Sequence, residues 1–60
     1  MERIYAARLS DGQEVIYWGK SQESVTERIA AEFPDRSIIE WIDPTFLYRK
    51  VKSGEIQLRF

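Results

Sequence analysis

The feature that most constrains the fold of this chain is a single helical segment, residues 21–34. Val25, Ile29 and Phe33 recur every four residues, so in a helix they form one apolar stripe, which Ala30 widens. The other apolar segments of the chain favour β-strand. A helix with one apolar stripe must bury that stripe, and a sheet is the only surface that the rest of the chain offers. The sequence therefore predicts an α+β domain in which one helix packs on a sheet.

The limits of this helix follow from its flanking residues. Ser21 is expected to be the N-cap, because its hydroxyl can accept a hydrogen bond from a backbone N–H of the first turn. A start at Ser24 is the alternative, since Glu27 three residues later would complete a capping box. Pro34 ends the helix, because the residue before a proline is disfavoured in helical geometry. The apolar stripe is the same with either start.

Composition limits how such a small domain can be stabilised. Sixty residues form one domain, residues 1–60, and a chain of this size buries only about 60% of its unfolded surface. The chain has no Cys and no His, which excludes disulfides and the zinc sites built from those ligands. Stability must therefore come from a dense core or from association of several copies. The two Trp, three Tyr and three Phe supply burial area for either.

Residues 3–9 and 14–18 are predicted to form two strands joined by a tight turn. The register of this hairpin has two alternatives. A two-residue loop would place the even-numbered residues of the second strand on the face that carries Leu9. A three-residue loop with Gly12 as a bulge would place the odd-numbered residues there. The bulged loop is favoured, because it also sets Arg8 opposite Glu14.

Three more strands are predicted after the helix. Residues 37–42 are apolar on both faces apart from Glu40, which favours a central position in the sheet. Residues 45–52 are predicted as the fourth strand and residues 55–60 as the fifth, joined by a tight turn. In the last strand alternate apolar residues, ending with Phe60, face the core. The predicted order is β-β-α-β-β-β, a mostly antiparallel sheet packed on one helix.

The sequence argues against catalysis. Without Cys and His, the common arrangements of nucleophile and base are absent. Asp11 and Asp43 adjoin turns, where such side chains bond to nearby backbone. Glu40 could be partly buried, but the favoured interpretation is that it faces solvent at the sheet edge or pairs with an arginine such as Arg36. The chain is therefore predicted to be non-enzymatic, with no cofactor and no metal.

The favoured function is protein binding through the sheet. A single helix covers one face of a sheet, whereas the predicted strands are apolar on both faces. The second face would leave aromatic side chains in water unless another chain covers it. Interfaces are enriched in Trp, Tyr and Arg, so a second copy forming a homodimer is expected, and no other specific protein partner is indicated. The residues expected to bind are Tyr17, Trp18, Trp41, Tyr48, Arg49 and Arg59.

Single-stranded nucleic acid is the alternative partner, because charge is distributed unevenly. Residues 21–44 carry six acidic and two basic side chains, whereas residues 45–60 carry four basic and one acidic. Aromatic side chains between cations are typical of surfaces that bind single strands. The acidic helix, with Glu23, Glu27 and Asp35, would repel a polyanion and instead suggests mimicry or inhibition of a larger partner. The nucleic-acid-binding set would be Phe46, Tyr48, Arg49, Lys50, Lys52 and Arg59.

Charge and hydropathy also indicate the cellular location of the chain. Its net charge of −1 gives no general attraction to nucleic acid or to an anionic membrane. Uninterrupted apolar runs are at most four residues long, so no membrane span is predicted. The first residues lack the basic-then-apolar pattern of a secretion signal. Together with the absence of Cys, these features favour the cytoplasm.

Overall fold

The computed structural model describes residues 2–60. A four-stranded mixed sheet is covered on one face by a helix, α1 (Gln22–Glu32), and on the other by a 3₁₀ helix (Pro44–Leu47) that continues into a short helix, α2 (Tyr48–Lys52). The spatial order of the strands is β3-β1-β2-β4. The α+β class is confirmed, and so is the order β-β-α-β up to the end of β3. The strands are β1 (Arg3–Leu9), β2 (Glu14–Gly19), β3 (Ile38–Ile42) and β4 (Leu58–Arg59).

The antiparallel hairpin of β1 and β2 has the bulged, three-residue loop. The backbone N–H of Leu9 donates to the carbonyl of Gln13 at 2.8 Å, and that of Gly12 donates to the Leu9 carbonyl at 2.9 Å. Gly12 has a φ of 89°, a left-handed conformation that glycine adopts without strain. Arg8 pairs with Glu14, so the odd-numbered residues of both strands share a face. The favoured register is confirmed.

Helix α1 begins at the first of the two expected positions. The hydroxyl of Ser21 accepts a hydrogen bond from the backbone N–H of Ser24 at 3.1 Å, and Ser21 itself is extended, as an N-cap should be. The helix ends at Glu32, just before Pro34. Val25 and Ile29 of the predicted stripe are buried against the odd-numbered residues of the hairpin, whereas Ala30 is exposed.

The segment predicted as the fourth strand is helical instead. Asp43 caps the 3₁₀ helix, since its Oδ1 accepts hydrogen bonds from the backbone N–H and the hydroxyl of Thr45 at 3.0 and 2.8 Å. Pro44 occupies the first helical position, where its fixed φ favours a helix start. Leu47 and Val51 lie four residues apart and face the sheet, so one helical turn aligns them. The strand prediction for residues 45–52 is wrong.

The tight turn predicted between the last two strands is the end of α2. Gly54 has a φ of 83°, and its N–H donates to the carbonyl of Val51 at 3.2 Å, while that of Glu55 donates to Lys50 at 2.8 Å. This bonding pattern resembles the glycine-terminated ends common to helices. The chain then returns to the sheet, where only the two residues of β4 form a strand, and they pair in parallel with β2. A long antiparallel fifth strand is therefore also a wrong prediction.

The sheet face opposite α1 is covered by the chain itself. Leu47 is buried there against Ala6 and Ile16, and a ring of partly buried side chains surrounds them. The expectation of one packing helix and one uncovered, aromatic sheet face is wrong. The 3₁₀ helix, α2 and the return segment (residues 54–57) occupy that face. Phe60, expected in the core, is 81% exposed. The surrounding side chains are Ile4, Ile42, Val51, Ile56 and Leu58.

Candidate functional site

The six residues expected to bind protein do not form one surface. Tyr17 is only 1% exposed under α1, and its hydroxyl donates to Glu32 at 2.6 Å. Arg59 forms an ion pair with the same carboxylate, and its guanidinium lies over the rings of Tyr17 and Phe33 at 5.8 and 5.4 Å. These contacts connect α1 to β2 and β4. The structure thus gives Tyr17 and Arg59 packing contacts within the chain.

The two tryptophans lie on opposite faces of the sheet. Trp18 pairs with Ile4 on the face of α2, is half-buried, and donates its indole N–H to Glu2 at 2.6 Å. Its ring is 6.3 Å from that of Phe60. Trp41 pairs with Ala7, and its side chain lies on the opposite face, which α1 covers. A single partner surface on one sheet face therefore cannot include both indoles.

The nucleic-acid-binding set is brought together in part. Phe46 is 76% exposed and Tyr48 47% exposed, and both lie with Arg49 and Lys52 on successive turns of the 3₁₀ helix and α2. Lys50 is half-buried, and its Nζ lies 2.6 Å from Glu14. Arg59 lies on the other face of the sheet, as described above. Four of the six residues are thus exposed on this one helical segment: Phe46, Tyr48, Arg49 and Lys52.

β3 is an edge strand rather than the predicted central one, and a strip of apolar side chains from β3 and from its neighbour β1 lies at this edge of the sheet. Leu9 pairs with Ile38 and Arg8 with Glu40, so β3 carries one extra residue there, Ile39. This bulge residue is 58% exposed. Beside it, the Trp41 ring packs edge-to-face on that of Tyr5, with 6.3 Å between centroids. We call the strip the β3 margin; it comprises Tyr5, Ile38, Ile39 and Trp41.

Of the residues in the β3 margin, only Trp41 is predicted from the sequence. A third strand at the centre of the sheet, as predicted, would bury Ile39. The available signal was the run of apolar residues on both faces of β3, which is equally compatible with an edge strand whose partner is another chain. Tyr5 was missed because it lies on the same face of β1 as Ala7 and Leu9, which are buried in the core.

A small apolar pocket adjoins the β3 margin. It has a volume of about 220 Å³, is open to solvent, and lies between α1 and the start of β3. Its wall is almost entirely apolar. Helix α1 leaves it open because its backbone lies closest to β2, away from β3. The lining residues are Thr26, Ile29, Ala30, Arg36, Ser37 and Ile38.

A second, polar groove of about 480 Å³ lies between the start of β2 and the return segment, residues 54–57. Glu14 on its wall accepts a hydrogen bond from Lys50 at 2.6 Å and one from Arg8 at 3.2 Å. The hydrogen bond from Lys50, with that from Arg8, holds the pKa of Glu14 below its usual range despite partial burial. Arg8 also binds Glu40, so the favoured pairing of Glu40 with an arginine is present, but with Arg8 instead of Arg36.

The remaining polar contacts of the turns stabilise the fold. Arg36 pairs with Asp11 at 3.2 Å, which connects the segment before β3 to the hairpin loop. The pKa of Asp43 is held below its usual range by the N–H and hydroxyl of Thr45, as is usual for a capping carboxylate. Within residues 2–60, no group of three or more acidic side chains could hold a metal ion.

The described part of the chain contains no helix long and apolar enough to cross a membrane. No protein-family model, curated protein sequence or solved structure matches this chain. The geometry of its surface is therefore the basis for a functional proposal.

Proposed function

We propose that this chain is a non-enzymatic protein-binding module that self-associates through the β3 margin. The observation that carries the proposal is Ile39, which is 58% exposed beside the half-buried Trp41 on the open edge of the sheet. A cytoplasmic location is part of the same proposal, and the absence of Cys supports it.

An edge strand presents backbone N–H and C=O groups to any chain that can pair with it. Natural edges are commonly protected by lysine or proline, and β3 contains neither. Its one charged residue, Glu40, is already bound by Arg8 of the neighbouring strand. The bulge at Ile39 is the remaining protective device, yet it presents an apolar side chain to solvent. The edge is thus open and apolar.

A second copy is the proposed partner. A 60-residue domain without disulfides gains stability when it buries more apolar surface. Association removes Ile39 and part of Trp41 from water, and full burial of such a side chain contributes about 1.5–3 kcal/mol. A dimer is the first species expected as concentration rises.

Sedimentation equilibrium of the wild-type chain and of Ile39→Lys tests this proposal. The charge cannot be buried at the contact, so the dissociation constant should rise about tenfold or more, equivalent to about 1.4 kcal/mol. Gln57→Lys is the matched control, because Gln57 is exposed next to β4 at the opposite edge. A wild-type chain that stays monomeric up to millimolar concentration contradicts the proposal, and so does unchanged association of Ile39→Lys.

A second candidate function is binding of single-stranded nucleic acid. It is favoured by four exposed aromatic and basic side chains on one helical segment: Phe46, Tyr48, Arg49 and Lys52. Bases can stack on the two rings while the cations bind phosphates. Titration with a labelled oligonucleotide should show an affinity that falls with salt, and Arg49→Ala with Lys52→Ala should reduce that salt dependence. Absence of binding at low salt rules this candidate out.

A further inference from the structure

We propose that the pocket beside the β3 margin receives the phenyl ring of Phe46 from a second copy, so that copies join head to tail. This inference rests on the proposed self-association and identifies the surface that meets the β3 margin. Three observations support the contact: an exposed ring, a pocket of matching size, and charges of opposite sign around the ring and around the pocket.

The ring is held out on a fixed backbone. Phe46 is 76% exposed, whereas its neighbour Leu47 is buried in the core. The backbone N–H of Phe46 donates to the carbonyl of Asp43 at 3.1 Å, and the Asp43 side chain caps the same turn. Because Leu47 and the cap fix this turn, the backbone that carries the ring loses little conformational freedom when the ring binds.

The pocket is large enough for that ring. Its volume is about 220 Å³, and an apolar protein cavity of about 150 Å³ is known to bind benzene. Ile29, Ala30 and Ile38 supply the apolar wall. Arg36 also lines the pocket, but its charge is bound by Asp11 and its side chain donates to Gln13 at 2.7 Å. An aromatic ring therefore fits both the size and the chemistry of this pocket.

Charges around the ring and around the pocket are of opposite sign. Arg49 and Lys52 are exposed on α2, near Phe46. Glu23 and Glu27 are exposed on α1, each three residues before a residue that lines the pocket. Within residues 2–60, none of these four side chains takes part in an ion pair. Docking of the ring would bring the two pairs of charges together.

The ring and the pocket lie on opposite faces of the sheet. Leu47, next to Phe46, packs on the even-numbered residues of the hairpin, whereas α1 packs on the odd-numbered ones. A copy therefore cannot fill its own pocket. After one ring docks, the pair still has one unfilled pocket and one exposed ring, which is the condition for continued growth.

The molar mass of complementary variants, measured by light scattering over a concentration series, tests this inference. Phe46→Ala removes the ring and keeps the pocket; Ala30→Gln narrows the pocket and keeps the ring. Both positions are exposed, so both variants should keep the wild-type thermal unfolding transition at a dilution where the wild-type chain is monomeric. The wild-type mass should exceed twice the chain mass of 7.1 kDa. Each variant alone should stay monomeric, and their equimolar mixture should form pairs that grow no further.

Other outcomes separate the two proposals. Association of Phe46→Ala at wild-type strength overturns the head-to-tail contact and leaves self-association by pairing of β3 edges. A wild-type chain that is monomeric at all concentrations overturns self-association itself. If Phe46→Ala loses oligonucleotide binding while its mass stays that of the wild type, the exposed ring binds nucleic acid and the head-to-tail contact is wrong.

Discussion

Gly19 lies at the end of β2, where the chain turns into α1. A Cβ at this position would lie 2.6 Å from Cγ2 of Val25, which is buried under the helix. Gly19→Ala should therefore lower the free energy of unfolding by about 1–3 kcal/mol, because the core must shift to admit a methyl group. Urea denaturation measures this.

Gly12→Asn is the control for Gly19→Ala. Gly12 lies in the exposed hairpin loop, where a Cβ would have no neighbour within 4 Å, and asparagine tolerates positive φ better than other side chains. Its effect should be smaller than that of Gly19→Ala. An equal or larger loss for Gly12→Asn contradicts the described packing of β2 against α1.

Glu14 should make stability depend on pH. Its pKa in the folded chain is lowered from 4.5, chiefly by the hydrogen bond from Lys50 and also by that from Arg8. The stabilisation from a lowered pKa is complete above the unfolded-state value and is lost as pH falls through the folded-state value. Lys50→Met should therefore reduce the loss of stability below about pH 4.5, measured by thermal unfolding between pH 7 and pH 2. Lys52→Met, an exposed lysine of α2, should leave the profile unchanged.

The N-terminus of α1 depends on one hydroxyl. Ser21→Ala should lower the free energy of unfolding by about 1 kcal/mol, because it leaves the N–H of Ser24 without its capping acceptor. Ser21→Asp should retain most of the stability, since its carboxylate can accept the same bond and favours the positive end of the helix dipole. Equal losses in both variants would contradict this cap.

Two adjacent residues of the 3₁₀ helix should differ strongly in the stability that is lost when each is replaced by alanine. Leu47 is 2% exposed and fills the core between the sheet and the helices, so Leu47→Ala should cost about 2–5 kcal/mol. Phe46→Ala, at the next position, should change stability by about 0.5 kcal/mol or less. Chemical denaturation of both variants measures the contrast. Similar losses would contradict the described coverage of this sheet face.

Local patterns predict the first part of the fold well. The spacing of Val25, Ile29 and Phe33 identifies α1, and the pairing of Arg8 with Glu14 identifies the bulged hairpin. Both depend on residues that are close in sequence. The C-terminal part depends on contacts that local patterns do not contain: β4 has only two residues, and it pairs with β2, which lies before α1 in the chain.

The sequence contains a local signal for α2, but the strand propensity of the same segment outweighs it. Asp43 and Pro44 form a helix start, and Leu47 and Val51 have helical spacing. The aromatic and β-branched residues of the same segment favour strand, and that propensity depends strongly on context. With residues 45–52 predicted as strand, one sheet face has no cover, and the prediction of protein binding depends on that uncovered face.

At the scale of the whole molecule, the chain closes both faces of its sheet and leaves its edges open. With both faces covered, the proposed self-association uses the margin of the sheet, where β3 ends the strand order and Ile39 is exposed. The acidic surface of α1 and the basic surface of α2 lie on opposite faces. This separation of charge favours contacts between unlike surfaces over contacts between like ones.

The indole N–H signals of the two tryptophans test the location of the interface most directly. Trp41 lies in the β3 margin, whereas Trp18 lies on the other face beside Phe60. In proton–nitrogen NMR spectra recorded from micromolar to millimolar concentration, the Trp41 signal should shift and the Trp18 signal should stay in place. A shift of Trp18 with an unchanged Trp41, or constancy of both, would contradict association through the β3 margin.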